Sequence, residues 1–205
     1  MGRNYVTAYS GLIRKAQLKE GETVLVTGAS GGVGSSVIKI AKSKSARVIA
    51  IFRQVPEPEK GGRLGIDLAL SSPADDIVSR VKEFTGGKGV DVVFDCVGGP
   101  LFEVVLNTLG IGGRQVNIAS VGERRVSFDL LDFYRRQLAL FGLNTITLDA
   151  VASGDLLDGL RPAFEQGLLT APEIARTCSL DEAVEAYQQV DSGSAKGKIV
   201  FVFQH

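Results

Sequence analysis

The sequence from residue 27 to residue 34 is Thr27-Gly28-Ala29-Ser30-Gly31-Gly32-Val33-Gly34. It follows an apolar run at residues 23–26 that is typical of a buried strand. Beyond it, apolar residues recur at the spacing of one helical face, at Val33, Val37, Ile40 and Ala41. A glycine-rich turn from a strand into a helix can approach a phosphate closely, and the helix N-terminus offers the anion free N–H groups. The stretch therefore predicts a phosphate-binding turn.

Short apolar runs alternate with longer stretches of helical period along the rest of the chain. The runs that indicate strands are residues 23–27, 47–52, 67–70, 90–95, 114–119 and 138–143. Such alternation is typical of a parallel sheet with helices on both faces, and six strands make a doubly wound dinucleotide-binding fold. We expect an α/β Rossmann domain over residues 1–205, with a short N-terminal helix at residues 5–17 and a C-terminal helix followed by a closing strand.

Three connections carry more specific signals. Ser72 and Pro73 predict an N-cap and first helical position, before a helix that buries Ile77, Val81 and Phe84. Ser179 and Glu182 form a capping box before a helix expected to bury Ala183, Tyr187 and Val190. The second crossover contains residues that interrupt helices, namely Pro56, Pro58, Gly61 and Gly62, so a short or broken helix is expected there.

Composition restricts the classes of function. The chain has 205 residues, and 23 Lys and Arg balance 23 Asp and Glu, so it lacks the positive charge that binds nucleic acid or an anionic membrane. No apolar run is long enough for a membrane span and no signal peptide is visible, so we expect a cytoplasmic protein with no nucleic-acid or membrane partner. Two cysteines, Cys96 and Cys178, and the single histidine His205 do not make a zinc site, so no metal is expected.

The end of the second predicted strand indicates which nicotinamide dinucleotide would bind. In NAD(H)-binding folds an acidic residue about twenty residues beyond the glycine turn accepts a hydrogen bond from the ribose 2′-hydroxyl. Phe52 and Arg53 occupy that place here, and an arginine suits the 2′-phosphate of NADP(H). The sequence therefore favours NADP(H) over NAD(H), with a solvated strand end as the alternative role of Arg53.

Polar residues also end the fourth and fifth predicted strands. Asp95 could contact a ribose or a substrate, and a turn or N-cap role in residues 95–99 is an equal alternative. Asn117 and Ser120 could contact the cofactor or form an ordinary turn.

The glycine pattern is shared by short-chain dehydrogenases, whose chemistry needs a tyrosine followed four residues later by a lysine. The tyrosines here are Tyr5, Tyr9, Tyr134 and Tyr187, and the residues four positions on are Tyr9, Ile13, Leu138 and Asp191. Because that pair is missing, the short-chain interpretation loses its catalytic step.

Several motifs, in order along nearly the whole chain, resemble the cofactor-binding domain of the zinc-independent medium-chain reductases, the quinone oxidoreductase and enoyl reductase group. They are Thr7-Ala8-Tyr9, residues 18–26, Gly28 to Gly34, residues 89–98, Gly112-Gly113-Arg114 and Gly197-Lys198-Ile199-Val200. The resemblance implies that Gly31, Gly32 and Val33 face the pyrophosphate. It also implies that the Ile118-Ala119 backbone, the strand from Phe141 to Leu143 and Thr7 lie near the nicotinamide.

Together these arguments give a set of candidate cofactor-binding residues and no candidate catalytic residue. The set is Thr7, Gly28, Ser30, Gly31, Gly32, Val33, Arg53, Asp95, Asn117, Ile118, Ala119, Phe141 and Leu143. The resemblance implies an NADPH-dependent reductase that transfers hydride to a small-molecule substrate, either a quinone or an α,β-unsaturated carbonyl compound. It also implies a homodimer that pairs the sixth strand, residues 138–143, across a two-fold axis.

The sequence departs from the family in three places. Family members carry an N-terminal barrel-like catalytic domain before the segment equivalent to Tyr5, and we expect that domain to be absent here. The alternative function is therefore a catalytically inactive, truncated homologue that binds a nucleotide or a partner. A lysine and a tyrosine that hold the 2′-phosphate in quinone reductases align with Glu57 and Ser72. The glycine that usually ends the helix before the second strand in the family is replaced here by Ser45, which would be strained at positive φ.

Overall fold

The computed structural model describes residues 2–54, 65–72, 75–171, 174–192, 194–195 and 197–203. The chain divides into two compact units, Gly2–Leu169 and Thr170–His205. The expected break in the second crossover, the Pro73 helix start and Glu57 lie outside the described residues.

The larger unit contains one parallel sheet. Its strands are β1 (Thr23–Val26), β2 (Arg47–Phe52), β3 (Leu68–Ser71), β4 (Val90–Asp95), β5 (Leu109–Asn117) and β6 (Ala139–Gly142). They lie in the order β3-β2-β1-β4-β5-β6, and every neighbouring pair is parallel. The predicted doubly wound, six-stranded Rossmann sheet is therefore confirmed.

Helices cover both faces of this sheet. They are α1 (Gly2–Tyr9), α2 (Gly32–Ser43), α3 (Ile77–Phe84), α4 (Phe102–Leu106), α5 (Leu130–Arg135), α6 (Ala150–Asp158) and α7 (Arg161–Glu165). A π-helical segment, Ser10–Lys15, continues α1, so the predicted N-terminal helix is present. No helix in the described part of the chain is long and apolar enough to cross a membrane.

Two apolar clusters explain why β1 consists of apolar residues without alternation. Val24 and Val26 pack in a cluster with α1 and α2, whereas Leu25 packs on the other face with α3 and α4. All four residues of β1 are buried. Burying one such side chain contributes about 1.5–3 kcal/mol, so a continuous apolar run is what a strand covered on both faces requires.

Helix α3 begins later than the sequence signal indicated. Its N-cap is Asp76, whose Oδ1 accepts a hydrogen bond from the Ser79 N–H at 3.1 Å. The Ser72 N-cap is therefore wrong. The reason is that Asp75 bonds back to the end of β3: its Oδ2 accepts from the Ser71 N–H at 2.6 Å, and its N–H donates to Ser71 O at 2.9 Å. Ile77 and Val81 are buried as predicted.

Helix α2 ends in the left-handed conformation that the sequence analysis anticipated. Ser45 has φ 56°. The N–H of Ser45 donates to Lys42 O and the N–H of Ala46 donates to Ala41 O, both at 3.0 Å. This hydrogen-bond pair is a Schellman motif, in which a glycine usually occupies the position of Ser45.

The smaller unit contains strands β7 (Ile174–Cys178) and β8 (Lys198–Phe201), which pair in parallel, and helix α8 (Ala183–Asp191). The predicted capping box of Ser179 and Glu182 is present, before a short 3-10 turn that leads into α8. The predicted buried face is wrong, because Tyr187 and Val190 are 71% and 58% exposed whereas Ala186 is buried. The closing strand pairs with β7 in a separate two-stranded sheet of the described chain.

Candidate nucleotide-binding site

The candidate site lies at the carboxyl ends of β1 and β4, where the strand order reverses direction. Strand β1 pairs with β2 on one side and with β4 on the other. In open parallel sheets the crevice at such a switch point is where nucleotides bind. The glycine turn that follows β1 therefore occupies the expected place in the fold.

The turn has a tightly determined backbone. Gly28 has φ 59°, and its carbonyl accepts from the Gly31 N–H at 2.9 Å. The N–H of Ala29 donates to Ile51 O at 3.2 Å, which holds the turn beside the end of β2. A Cβ at Gly34 would overlap the Gly28 carbonyl oxygen and lie 3.0 Å from the Ala29 Cα. Only a glycine at position 34 therefore lets α2 start this close to the turn.

The N-terminus of α2 has the properties of an anion site. Its N-cap, Gly31, is extended at φ −72° and ψ 165° and supplies no side-chain cap. The first N–H groups of a helix have no partner inside the helix, and the helix dipole is positive at that end. Ser30, Gly31 and Gly32 are exposed and Val33 is partly exposed, so an anion can reach these groups.

Asn4 also lies at this helix end, which the sequence analysis missed. A Cβ at Gly32 would overlap the Asn4 side-chain amide nitrogen, so the carboxamide stands directly against the first residue of α2. The one available signal was that Asn4 precedes Thr7 by three residues in α1 and so shares its helix face.

The loops after β4, β5 and β6 meet next to the glycine turn. The Val121 N–H donates to Val97 O at 2.8 Å, and the Leu143 N–H donates to Asn117 O at 3.0 Å. Ile118, Phe141 and Leu143 are partly buried against the apolar cluster of α1 and α2, and Ala119 is exposed.

Thr7 is connected to the loop that follows β6. Its Oγ1 lies 2.7 Å from Thr145 Oγ1 and donates to Arg3 O at 3.0 Å, so the Thr145 hydroxyl is the donor between the two threonines. The helix that carries Thr7 thus closes one side of the group of loops. The described structure brings these predicted residues together, and their contact with a cofactor stays a prediction.

Asp95 is the last residue of β4 and is 0% exposed, and its side chain caps the turn that follows the strand. Its Oδ1 accepts from Thr27 Oγ1 at 2.6 Å and from the N–H groups of Val97 and Gly98 at 3.0 and 2.9 Å. Of the two roles left open for Asp95, the turn role is the one with observed contacts. Asn117 Oδ1 accepts from Gln115 Nε2 at 2.9 Å, which likewise engages its side chain within the protein.

Cys96 follows Asp95, and its surroundings disfavour the thiolate that a nucleophilic cysteine needs. Burial and the neighbouring Asp95 charge raise the pKa of the Cys96 thiol to about 12. A thiol with that pKa is protonated at neutral pH, whereas nucleophilic cysteines react as thiolates.

Arg53 is exposed and follows the last residue of β2. Its carbonyl accepts from Ser71 Oγ at 3.2 Å, which fixes its backbone beside the end of β3. Ile51, two residues before Arg53, accepts a hydrogen bond from the Ala29 N–H of the glycine turn. Arg53 therefore follows a residue that contacts the turn, and its exposed side chain can extend into solvent.

A large open cavity of about 1100 Å³ lies at the other end of the strands, where they begin. Residues that begin strands line it, among them Thr23, Arg47 and Leu109. It is thus separated from the glycine turn by the length of the strands, and cavity size does not identify the nucleotide site. In the described residues, no group of three His, Cys, Asp or Glu side chains could hold a metal ion.

Residues 32–156 match the family model described as "Zinc-binding dehydrogenase". The chain is 34% identical to the acryloyl-coenzyme A reductase of Metallosphaera sedula over 196 residues, which cover 94% of this chain and 54% of that enzyme. It is 26% identical to the quinone oxidoreductase of Homo sapiens over 211 residues, with coverages of 98% and 61%. The chain thus spans little more than half the length of these relatives.

Solved structures give the same result for the fold. A mycobacterial protein, Rv1454c, complexed with NADPH is 25% identical, with a TM-score of 0.80 and coverage of 98% of this chain and 62% of that one. An NAD-dependent alcohol dehydrogenase is 28% identical, with a TM-score of 0.79 and coverage of 98% and 57%. The similar structures thus include proteins described with either nicotinamide dinucleotide.

Proposed function

The chain belongs to the zinc-binding dehydrogenase family of medium-chain dehydrogenases and reductases, and on that premise we propose that it is the NADP(H)-binding part of a reductase. The proposed substrate is a quinone or an α,β-unsaturated carbonyl compound, supported by the similarity to a quinone oxidoreductase and an acryloyl-coenzyme A reductase. The observation that carries the proposal is the accessible N-terminus of α2 behind the glycine turn, at the switch point of the sheet.

The residues of the turn fit a dinucleotide pyrophosphate. The N–H groups of Gly32 and Val33 would donate to its oxygens, and Gly34 keeps α2 close enough to the turn for them to do so. The Asn4 amide is a neutral donor at the same helix end and would add a hydrogen bond without adding charge.

The neighbouring loops would hold the nicotinamide half. Ile118, Phe141 and Leu143 offer an apolar wall, and the Ala119 backbone is exposed beside it. When bound, NADPH supplies the hydride, and the contribution of this chain is to orient the ring and to exclude water from one face. No residue in the described part of the chain stands out as a general acid, so no catalytic residue is proposed.

Arg53 is the proposed ligand of the 2′-phosphate. Its guanidinium is exposed at the end of β2, where an NAD-specific domain carries an acid. A forked, charge-assisted contact with a phosphate is stronger than a hydrogen bond between neutral groups.

The test is a calorimetric titration of the purified chain with NADPH and then with NADH. We expect tighter binding of NADPH and a loss of about tenfold or more in NADPH affinity for Arg53→Ala, with little change for NADH. Arg80→Ala is the matched control, because Arg80 is an exposed arginine on α3 paired with Glu83. Equal affinity of the unaltered chain for both nucleotides would contradict the 2′-phosphate role.

The same preparation separates the reductase from the binding module. Consumption of NADPH with a panel of quinones and enones would support hydride transfer by these 205 residues. Tight NADPH binding without turnover would favour the nucleotide-binding module, because binding alone requires only the glycine turn and its loops.

We also propose a homodimer formed through β6 and a cytoplasmic location. Strand β6 pairs with β5 and stands last in the strand order of the described sheet, so its second edge is available for pairing. The free thiols of Cys96 and Cys178 agree with a reducing compartment.

A further inference from the structure

A buried hydrogen-bonded pair, Thr27 and Asp95, connects the ends of the two central strands. Both residues are 0% exposed. The Thr27 hydroxyl donates to Asp95 Oδ1 at 2.6 Å and accepts from the Cys96 N–H at 2.8 Å, while the Thr27 N–H donates to Phe94 O at 3.1 Å. One side chain after β1 therefore bonds to both the last residue of β4 and the first residue after it.

The pair lies between the two halves of the candidate site. Thr27 immediately precedes the glycine turn, and Asp95 Oδ1 orders the next loop by accepting the N–H groups of Val97 and Gly98. Contact between the halves is close, since a Cβ at Gly28 would be 3.3 Å from the Cys96 Cβ.

The loop after β4 is in turn packed against the loop after β5. A Cβ at Gly98 would overlap the Ala119 carbonyl oxygen, and the Val121 N–H donates to Val97 O at 2.8 Å. A displacement of the Asp95 loop would therefore move the Ala119 backbone, which lies beside the proposed nicotinamide wall.

We infer that the Thr27–Asp95 hydrogen bond is a positioning contact that sets the spacing between the pyrophosphate turn and the loops that hold the nicotinamide. The inference rests on the proposed dinucleotide function. It assigns Asp95 an indirect role, because a carboxylate that is 0% exposed does not touch a ligand in this conformation. A ligand that contacts both halves would feel the spacing, whereas a ligand that contacts the turn alone would not.

The hydrogen bonds of Asp95 all go to one of its two carboxylate oxygens. Oδ1 takes all three bonds, and Oδ2 is buried with no hydrogen-bond partner among the described residues. An asparagine would keep an acceptor oxygen in the place of Oδ1, so we expect Asp95→Asn to retain the bond from the Thr27 hydroxyl.

The experiment compares two probes on matched variants by calorimetry. NADPH spans both halves, and 2′,5′-ADP lacks the nicotinamide half. For Thr27→Val, which removes the hydroxyl at nearly constant shape, we expect NADPH to bind about five- to tenfold more weakly and 2′,5′-ADP to change less than about twofold. Thr27→Ser restores the hydroxyl and should restore NADPH affinity.

Thr108→Val is the control for loss of a buried threonine hydroxyl. Thr108 is 2% exposed, and its hydroxyl donates to Val105 O at 2.6 Å. It immediately precedes β5, so it lies at the end of the strands away from the glycine turn. Both Thr108→Val and Thr27→Val remove a buried hydroxyl and should lower the melting temperature, but Thr108→Val should leave NADPH affinity unchanged.

The outcomes separate this inference from the function on which it rests. If the unaltered chain binds neither NADPH nor 2′,5′-ADP, the proposed function fails. If the unaltered chain binds NADPH and Thr27→Val binds it equally well, the positioning contact is disproved. An equal loss for NADPH and 2′,5′-ADP, or a failure of Thr27→Ser to restore binding, would also overturn it, because the effect would then be local damage to the turn.

Discussion

Gly34 lies where the first turn of α2 passes over the Gly28 carbonyl. A methyl group there would meet backbone atoms of Gly28 and Ala29, which cannot rotate away as a side chain could. Gly34→Ala should therefore move α2 off the turn, reduce the free energy of unfolding by about 1–3 kcal/mol and abolish NADPH binding. Chemical denaturation and calorimetric titration measure the two effects.

Gly154→Ala is the matched substitution at a site with room. Gly154 lies inside α6, and a Cβ there has no atom within 4 Å. It should stabilise the protein by about 0.5–1 kcal/mol and leave NADPH binding intact. Unchanged stability and binding for Gly34→Ala would contradict the steric reason given for the glycine.

The individual site residues were predictable to different degrees. The glycine turn was recognisable because its residues are contiguous. The role of Asp95 was left undecided by the sequence, since the bond that connects it to the end of β1 comes from Thr27, a residue 68 positions away. Asn4 was missed for a similar reason, because its position against Gly32 exists only once α1 packs on α2.

The end of helix α2 carries a strain that one substitution can remove. A non-glycine residue in the left-handed conformation costs about 1–2 kcal/mol. Replacing it with glycine removes that cost, but glycine also increases the conformational entropy of the unfolded chain, which cancels part of the stabilisation. Ser45→Gly should therefore raise the free energy of unfolding by about 0.5–1 kcal/mol, measured by urea denaturation.

The control for this change is Ser43→Gly, two residues earlier. Ser43 is the last residue of α2, and its hydroxyl donates to Ile40 O at 2.8 Å. Glycine in a helix costs about 1 kcal/mol, so this variant should be less stable. A decrease in stability for Ser45→Gly as well would show that the left-handed residue is not the source of strain.

Whole elements were predictable where burial sets the pattern. Strands β1, β2 and β4 are covered on both faces, so apolar residues mark them nearly end to end. Strand β5 begins at Leu109, whereas the sequence placed its start at Arg114. The prediction was late because Gly110, Gly112 and Gly113 interrupt the apolar run that would have marked the first half of the strand. Its register against β4 shifts between Val90 and Val92, a backbone irregularity that no side-chain pattern reports.

At the scale of the whole molecule, the open edge of β6 predicts self-association. Gly142 is exposed on this strand, and a Cβ there has no atom within 4 Å, so a side chain at this position leaves the protomer unstrained. Gly142→Glu would place a charge in each edge strand of a two-fold pair, where like charges and desolvation oppose pairing. The variant should remain folded and dimerise several-fold more weakly.

Sedimentation velocity over a range of micromolar concentrations measures this association. Gly154→Glu introduces the same charge at an open position of α6 and should dimerise as the unaltered chain does. If the unaltered chain is a strict monomer throughout, pairing through β6 is wrong. If it dimerises and Gly142→Glu has no effect, the interface lies on another surface. The next surface to test is then α5, which precedes β6 in the chain and exposes Leu130, Leu131 and Tyr134.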